Sequence, residues 1–269
     1  MSAGRSGSTL LGVILNNFPN SVYVGELYWW NKERGIPQND RKEIHTFWDK
    51  INKNIDIDGS FENNYYDLFE YHSSFIKLPW IGRLLMKKEY KEMNTHLFNS
   101  IAESSRKKYI IDSSHYPWRA YWLRKSGINI KLIYLYKDPS SVVSSFAKKN
   151  IEHEHKNALS ANIYLFVVSA LSTLVYSSFN KNDRIKVIYE DLVEYPQQTI
   201  NRLGNFLNTK DIKIDIDNLS TGPIFMGNRI RHNSSIKLNL NNSENKNSLG
   251  KMITNIIQLP FLILNSRKN

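Results

Sequence analysis

The sequence predicts an α/β fold of three layers, with helices on both faces of a parallel sheet. Three observations predict it. Short β-prone runs at Tyr109–Ile111, Lys131–Tyr136 and Ile185–Tyr189 alternate with longer amphipathic stretches. Each of these strands ends in polar residues that lead toward a helix. A loop rich in glycine and hydroxyls, Gly4-Arg5-Ser6-Gly7-Ser8-Thr9, runs into Leu10, Leu11, Ile14 and Leu15 at helical spacing, so a helix starts near Ser8 and stops before Pro19.

That loop is an anion site in outline. Gly4 and Gly7 let the backbone approach a ligand, and the first helical turn offers unpaired N–H groups to phosphate-like oxygens. Ser6, Ser8 and Thr9 add hydroxyls and Arg5 adds a planar cation. A capped surface helix after a loose terminus would read the same way in isolation. An ATP-binding P-loop would carry Lys and then Ser or Thr after its last Gly. Here Ser8 follows Gly7, and the cation stands two residues before it. Such a loop normally follows a buried strand, yet only Met1-Ser2-Ala3 precede it. The first strand is therefore expected to be missing or truncated.

Composition narrows the classes. The 269 residues fit one large domain, 1–269, and 41% hydrophobic with 12% aromatic residues supports a packed core. A net charge of +11 favours an anionic ligand or substrate. No recognition helix, zinc spacing or RNA-binding signature accompanies that charge, so nucleic acid is not expected. The absence of cysteine removes disulfides and thiol catalysis. No signal peptide is visible, and no apolar run reaches bilayer length; Ile253 to Leu264 comes nearest and is broken by Pro260. A cytoplasmic location is expected, unless an anchor precedes a truncated start. Oligomeric state is not legible.

Along the chain, Val22-Tyr23-Val24 is a short strand that delivers Gly25-Glu26. An acidic residue there returns beside the phosphate loop if the intervening helix folds back; a surface turn is the alternative. Residues 31–100 read as a mainly helical insertion. Its aromatics (Trp48, Tyr65, Tyr66, Phe69, Tyr71, Phe75, Trp80) suit a core, with the lining of an acceptor cleft as the alternative. The Tyr109–Ile111 strand ends at Asp112-Ser113-Ser114-His115, and Pro117 opens a helix. After the Lys131–Tyr136 strand, Asp138 is an N-cap and Pro139 a first helical residue. Ser145 lies eight positions after Lys137, so both can meet one anion. Glu152-His153-Glu154-His155 alternates sides on an extended chain and reads as a polar loop, not a metal site. An apolar helix covers 158–179, and a further helix ends near Leu207. Residues 208–248 are loop-rich.

Four stretches together resemble the sulfotransferases that use 3′-phosphoadenosine-5′-phosphosulfate (PAPS). Arg5 to Leu11 resembles their 5′-phosphosulfate loop. Lys137-Asp-Pro through Ser145 resembles their 3′-phosphate motif, with Lys where Arg is usual. Ile111–Ser114 resembles the strand end of the carbohydrate and bacterial branches, and Gly227-Asn-Arg229-Ile-Arg231 their late basic segment. Tyr189-Glu-Asp-Leu192 before Pro196 is also typical. The resemblance implies a P-loop-like fold and transfer of a sulfuryl group from PAPS, without a metal, to a hydroxyl or amine, first of all on a carbohydrate. It implies donor contacts from Arg5, Ser6, Gly7, Ser8, Thr9, Lys137, Ser145 and Arg229. In tyrosylprotein sulfotransferases a Gly-Glu pair at nearly this spacing supplies the base, which implies Glu26. His115 stands where many relatives have Lys and is implied as a cation toward the leaving group, with a neutral His115 as the base, as in cytosolic sulfotransferases, the alternative. Protein tyrosine as acceptor, an ATP-dependent kinase, and an anion-binding protein without turnover are the alternative readings.

Overall fold

A computed structural model describes residues 1–33, 35–55, 69–72, 88–146, 157–209, 212–227, 229–238 and 248–265. In chain order its elements are α1 (Ser8–Asn16), β1 (Ser21–Gly25), α2 (Tyr28–Lys32), α3 (Lys42–Lys53), α4 (Lys88–Ser105), β2 (Tyr109–Asp112) and α5 (Pro117–Lys125). There follow β3 (Leu132–Tyr136), α6 (Pro139–Phe146), α7 (Ala158–Ser178), β4 (Arg184–Ile188), α8 (Tyr189–Glu194), α9 (Pro196–Phe206), β5 (Leu219–Ser220), β6 (Ser235–Ile236), α10 (Ser248–Ile257) and α11 (Leu259–Asn265). They form two compact units. One comprises Met1–Ser8, Lys131–Leu207 and Asn239–Asn269; the other comprises Thr9–Ile130 and Asn208–Leu238.

In the first unit β3 and β4 pair in parallel, from Leu132 opposite Arg184 to Tyr136 opposite Ile188. Met1 adds to this ladder. Its N donates to Ile133 O at 2.8 Å, and its O accepts from Leu135 N at 3.0 Å. Those two bonds are a parallel bridge centred on Tyr134. Residues 1–3, which looked too few to supply a strand, thus run alongside β3, with Ala3 buried among Val142, Val143, Ala161, Leu165 and Val168 of α6 and α7. Asp138 caps α6 as expected, its carboxylate accepting from Ser141 N at 2.9 Å. Asn157 does the same for α7 through Ser160 N at 2.7 Å. β4 ends at Ile188, one residue before the expected limit, because Tyr189 opens α8. α7 corrects one expectation: its 21 residues are long and apolar enough to cross a bilayer. Interspersed Asn, Ser and Thr hid this from a search for unbroken apolar runs.

In the second unit β1 and β2 pair in parallel, from Ser21 opposite Tyr109 to Gly25 opposite Asp112. The register slips between Tyr23 and Gly25, so the strand ends in a bulge just before Glu26. All five β1 residues are buried. The predicted helical stretch after residue 31 supplies α3 and α4, whose Ile44, Trp48, Ile51, Tyr90, Leu97 and Ile101 pack with Trp30 and Phe225. Trp48 and Phe69 are core, as expected of that aromatic stretch; Tyr71 is exposed, and Tyr65, Tyr66, Phe75 and Trp80 lie outside the described residues. The loop-rich stretch after 208 holds the short antiparallel pair β5–β6. The strands are parallel where predicted, but they lie in separate two-stranded ladders. α10 and α11 are helices where the sequence reading saw only a broken apolar run.

α1 folds back on β1 because position 12 has no side chain. A Cβ on Gly12 would stand 2.4 Å from the Tyr23 ring, which is wholly buried. Gly12→Ala should therefore destabilise the protein by about 1–3 kcal/mol in urea unfolding, although Ala is the better helix former. A more stable variant would show that the ring can yield.

Candidate active site

The anion loop is a steric construction. Arg5 has φ 65° and Gly7 φ 88°, two left-handed residues with one between them. Such alternation turns successive N–H groups toward one concavity. Position 7 must be glycine, because a Cβ there would lie 2.4 Å from Cε2 of Tyr189. Gly4 N donates to Tyr164 Oη at 3.0 Å, which anchors the loop's entry to α7. Ser6 is buried and Ser8 begins α1. Arg5 Nε donates to Ser145 Oγ at 3.1 Å. The predicted loop and the end of α6 therefore touch, although 140 residues separate the two partners. Burial pushes the Arg5 guanidinium below its ordinary value, and among the described residues no carboxylate pairs with it. A half-buried cation whose partner is a hydroxyl retains its field for an incoming anion.

Lys137 ends the β3 strand with its Nζ 4.1 Å from the centroid of the Tyr189 ring. The same ring thus packs against Gly7 and carries Lys137. Next to it, Glu190 accepts from Asp138 N at 3.0 Å and holds the β3–α6 turn. Burial raises the Glu190 carboxyl above the usual range.

In the second unit Glu26 leaves the β1 bulge. Gly25 has φ 82°, and a Cβ on it would meet Met226 O at 2.5 Å. Glu26 N donates to that same carbonyl. Glu26 is buried, at 8% exposure for the whole residue, and both its oxygens are engaged. Trp29 Nε1 donates to Oε2 at 3.2 Å, and His115 Nε2 lies 3.2 Å from Oε1. Thr9 is near: a Cβ on Gly227 would stand 3.7 Å from Glu26 Oε1 and 4.0 Å from Thr9 Oγ1. The acid at the strand end has thus returned to the start of α1. Burial presses the His115 imidazole down, but the Glu26 charge and hydrogen bond outweigh it and leave the pKa raised. His115 Nδ1 is buried with no hydrogen-bond partner among the described residues.

Asp112 brings this pair together. Its Oδ1 accepts from Leu27 N, Ser114 N and Ser114 Oγ at 3.3, 2.9 and 2.6 Å. Leu27 follows Glu26, and Ser114 precedes His115. Asp112 Oδ2 accepts from Arg119 Nε at 2.7 Å, and Arg119 Nη1 donates to Glu70 Oε1 at 2.7 Å. Sequence reading missed Tyr164, Tyr189, Trp29 and Arg119. Trp29 alone was signalled, by its place three residues after Glu26. Arg229 opens a 3₁₀ turn, Arg229–His232, and is exposed. Arg231 is structural: its guanidinium donates to the carbonyls of Gln38 and Gly227. Among the described residues no three acidic or His side chains cluster as metal ligands; the Glu152–His155 run lies outside them.

If Glu26 sustains the His115 cation, Glu26→Gln should move the imidazole from above its ordinary value to below it, because burial is then the leading influence. Titration of the His115 ring resonances checks this. An unmoved titration would mean that the two do not interact in solution.

The chain is similar over nearly its whole length to the sulfotransferase domain from the curacin biosynthetic pathway. Identity is 19%, 96% of this chain and 95% of that one are covered, and the TM-score is 0.54. It is also similar to a sulfotransferase from Mycobacterium avium, at 10% identity, 99% and 76% coverage and a TM-score of 0.52. These likenesses show the fold. No curated protein sequence matches. The description "Sulfotransferase family" matches residues 1–212, a span that holds the anion loop, the Glu26–His115 pair and the Lys137–Ser145 turn, and the chain belongs to that family.

Proposed function

We propose that this protein transfers a sulfuryl group from PAPS to a hydroxyl or amine, with a carbohydrate as the leading acceptor class. One observation carries the donor assignment: Arg5 of the loop is hydrogen-bonded to Ser145 of the Lys137–Ser145 stretch. A nucleotide with both a 5′-phosphosulfate and a 3′-phosphate needs two anion sites, and the family resemblance assigns one to each of these stretches. The residues fit such a ligand. The loop offers N–H groups, hydroxyls and an acid-free cation, and Lys137 adds a point charge that lacks the fork of the more usual Arg.

In the transfer, the acceptor oxygen attacks sulfur and the bond from sulfur to the 5′-phosphate oxygen breaks. The acceptor proton goes to Glu26, whose carboxylate is held by Trp29 and His115. Charge builds on the departing nucleotide. Arg5 and the loop amides are suited to receive it, and the family resemblance assigns a further cation's part to His115.

The donor assignment makes 3′-phosphoadenosine-5′-phosphate raise the melting temperature more than ADP does. Lys137→Ala should weaken that nucleotide by about 1.5–3 kcal/mol in calorimetry, and Lys137→Arg should bind it as well or better. Equal shifts from both nucleotides would point to a kinase-like site instead.

Glu26→Gln should lower turnover by about 10²–10⁴-fold with donor affinity little changed, while His115→Lys should retain substantial activity because its charge is kept. An active Glu26→Gln beside a dead His115→Lys would exchange the two roles. Donor binding without turnover on any alcohol or amine would favour an anion-binding protein.

A further inference from the structure

The C-terminal helices have their polar side inward. The buried positions of α10 and α11 are Thr254, Gln258, Phe261 and Asn265, spaced as one helical face. Three of the four are polar. Asn162 Nδ2 of α7 donates to Thr254 Oγ1 at 3.2 Å, and Gln258 Nε2 donates to Asn162 O at 2.9 Å. On the opposite side Leu249, Met252, Ile253, Ile256, Leu259 and Leu264 are each more than half exposed. α7 shares the pattern in part. It buries Asn162, Ser169 and Ser172 beside Ala161, Leu165, Val168 and Val175, while Leu159, Ile163 and Leu174 are more than half exposed. Phe166 of α7 meets Phe261 of α11 edge to face, with centroids 5.1 Å apart, so the helices adjoin there.

In water this arrangement strands large aliphatic side chains and hides amides. Against hydrocarbon the exposed aliphatic groups are at no disadvantage, and two of the buried polar groups, Thr254 and Gln258, bond across to Asn162 of α7. We propose that this face of the first unit docks on an anionic lipid bilayer, with α10 and α11 lying in the interface. Helices of 10 and 7 residues are too short to span, and the inward side of α7 is packed against Val142 and Val143. Charge complementarity selects the bilayer. The chain carries +11, and Lys251 is exposed within the apolar stripe. In sequence, Arg267 and Lys268 follow α11, and the stretch before α7 carries Lys148, Lys149 and Lys156 against Glu152 and Glu154. A second copy of the chain suits the face less well. Its exposed residues are almost all aliphatic, whereas protein interfaces centre on Trp, Tyr and Arg.

The full chain is sedimented with vesicles of phosphatidylcholine alone and of phosphatidylcholine mixed with phosphatidylserine, and its mass in solution is measured by light scattering. The proposal is independent of the sulfotransferase reading and needs no activity. The chain should bind the mixed vesicles more tightly. Ile253→Glu and Ile256→Glu should each weaken that partition by about tenfold or more, with melting curves showing the fold retained. Binding to neither vesicle would overturn the proposal. So would binding that the two substitutions leave unchanged, or a dimer that they dissociate with no effect on vesicle binding.

Discussion

A tyrosine ring stands where any side chain at position 7 would have to go. Tyr189 fills the space beside Gly7 and carries Lys137 on its ring, so the loop, the end of β3 and the start of α8 have one mutual arrangement. That constraint holds Arg5 in a left-handed conformation, which costs a residue with a Cβ about 1–3 kcal/mol and persists only where the surroundings fix it. Gly4 tied to Tyr164 and Arg5 tied to Ser145 are the surroundings that do so. The strain sits in the loop proposed to bind the donor, where a preset backbone is worth more than a relaxed one.

The second unit solves a different problem, that of placing an acid and an imidazole in contact with little water. Asp112 does it by holding the residue after Glu26 and the residue before His115 with one oxygen. Behind it, two carboxylates share a single buried arginine. Asp112 receives Arg119 and three further hydrogen bonds, and its pKa stays below the ordinary value in spite of burial. Glu70 is deeper and, among the described residues, receives Arg119 and Tyr90 alone, so burial raises it to about 7. The competition is thus decided by hydrogen-bond supply. Asp112 stays ionised where the site needs a fixed acceptor, and Glu70 can take up a proton near neutrality. Removing Arg119 would leave two buried carboxylates facing each other, a loss of about 3–5 kcal/mol.

Much of this was legible in the residues. The strand ends that carry Glu26, His115 and Lys137 lie where their polar residues placed them, and Asp138 and Pro139 announced the start of α6. Local chemistry fixes such features, so spacing along the chain reveals them. What was hidden depends on contacts between distant residues. Nothing near Tyr189 says that its ring closes on Gly7, and nothing near Arg119 says that it joins Asp112 to Glu70. The first strand is reduced to one bridge, as its few residues suggested. Met1 needs no β-prone neighbours to make it, because β3 already presents Ile133 O and Leu135 N in register.

The helices after residue 248 show a second limit. Periodicity states that a helix has two faces, and the usual assumption is that the apolar one turns inward. In α10 and α11 the hydrogen bonds decide otherwise. Among the described residues the side chains of Thr254 and Gln258 bond to Asn162 of α7, one to its side-chain amide and one to its backbone carbonyl, so turning them outward would leave Asn162 buried with fewer bonds. The aliphatic face is then whatever remains. The direction of an amphipathic helix is therefore set by where its polar groups can be satisfied, and a single asparagine in a long apolar helix is enough to reverse it.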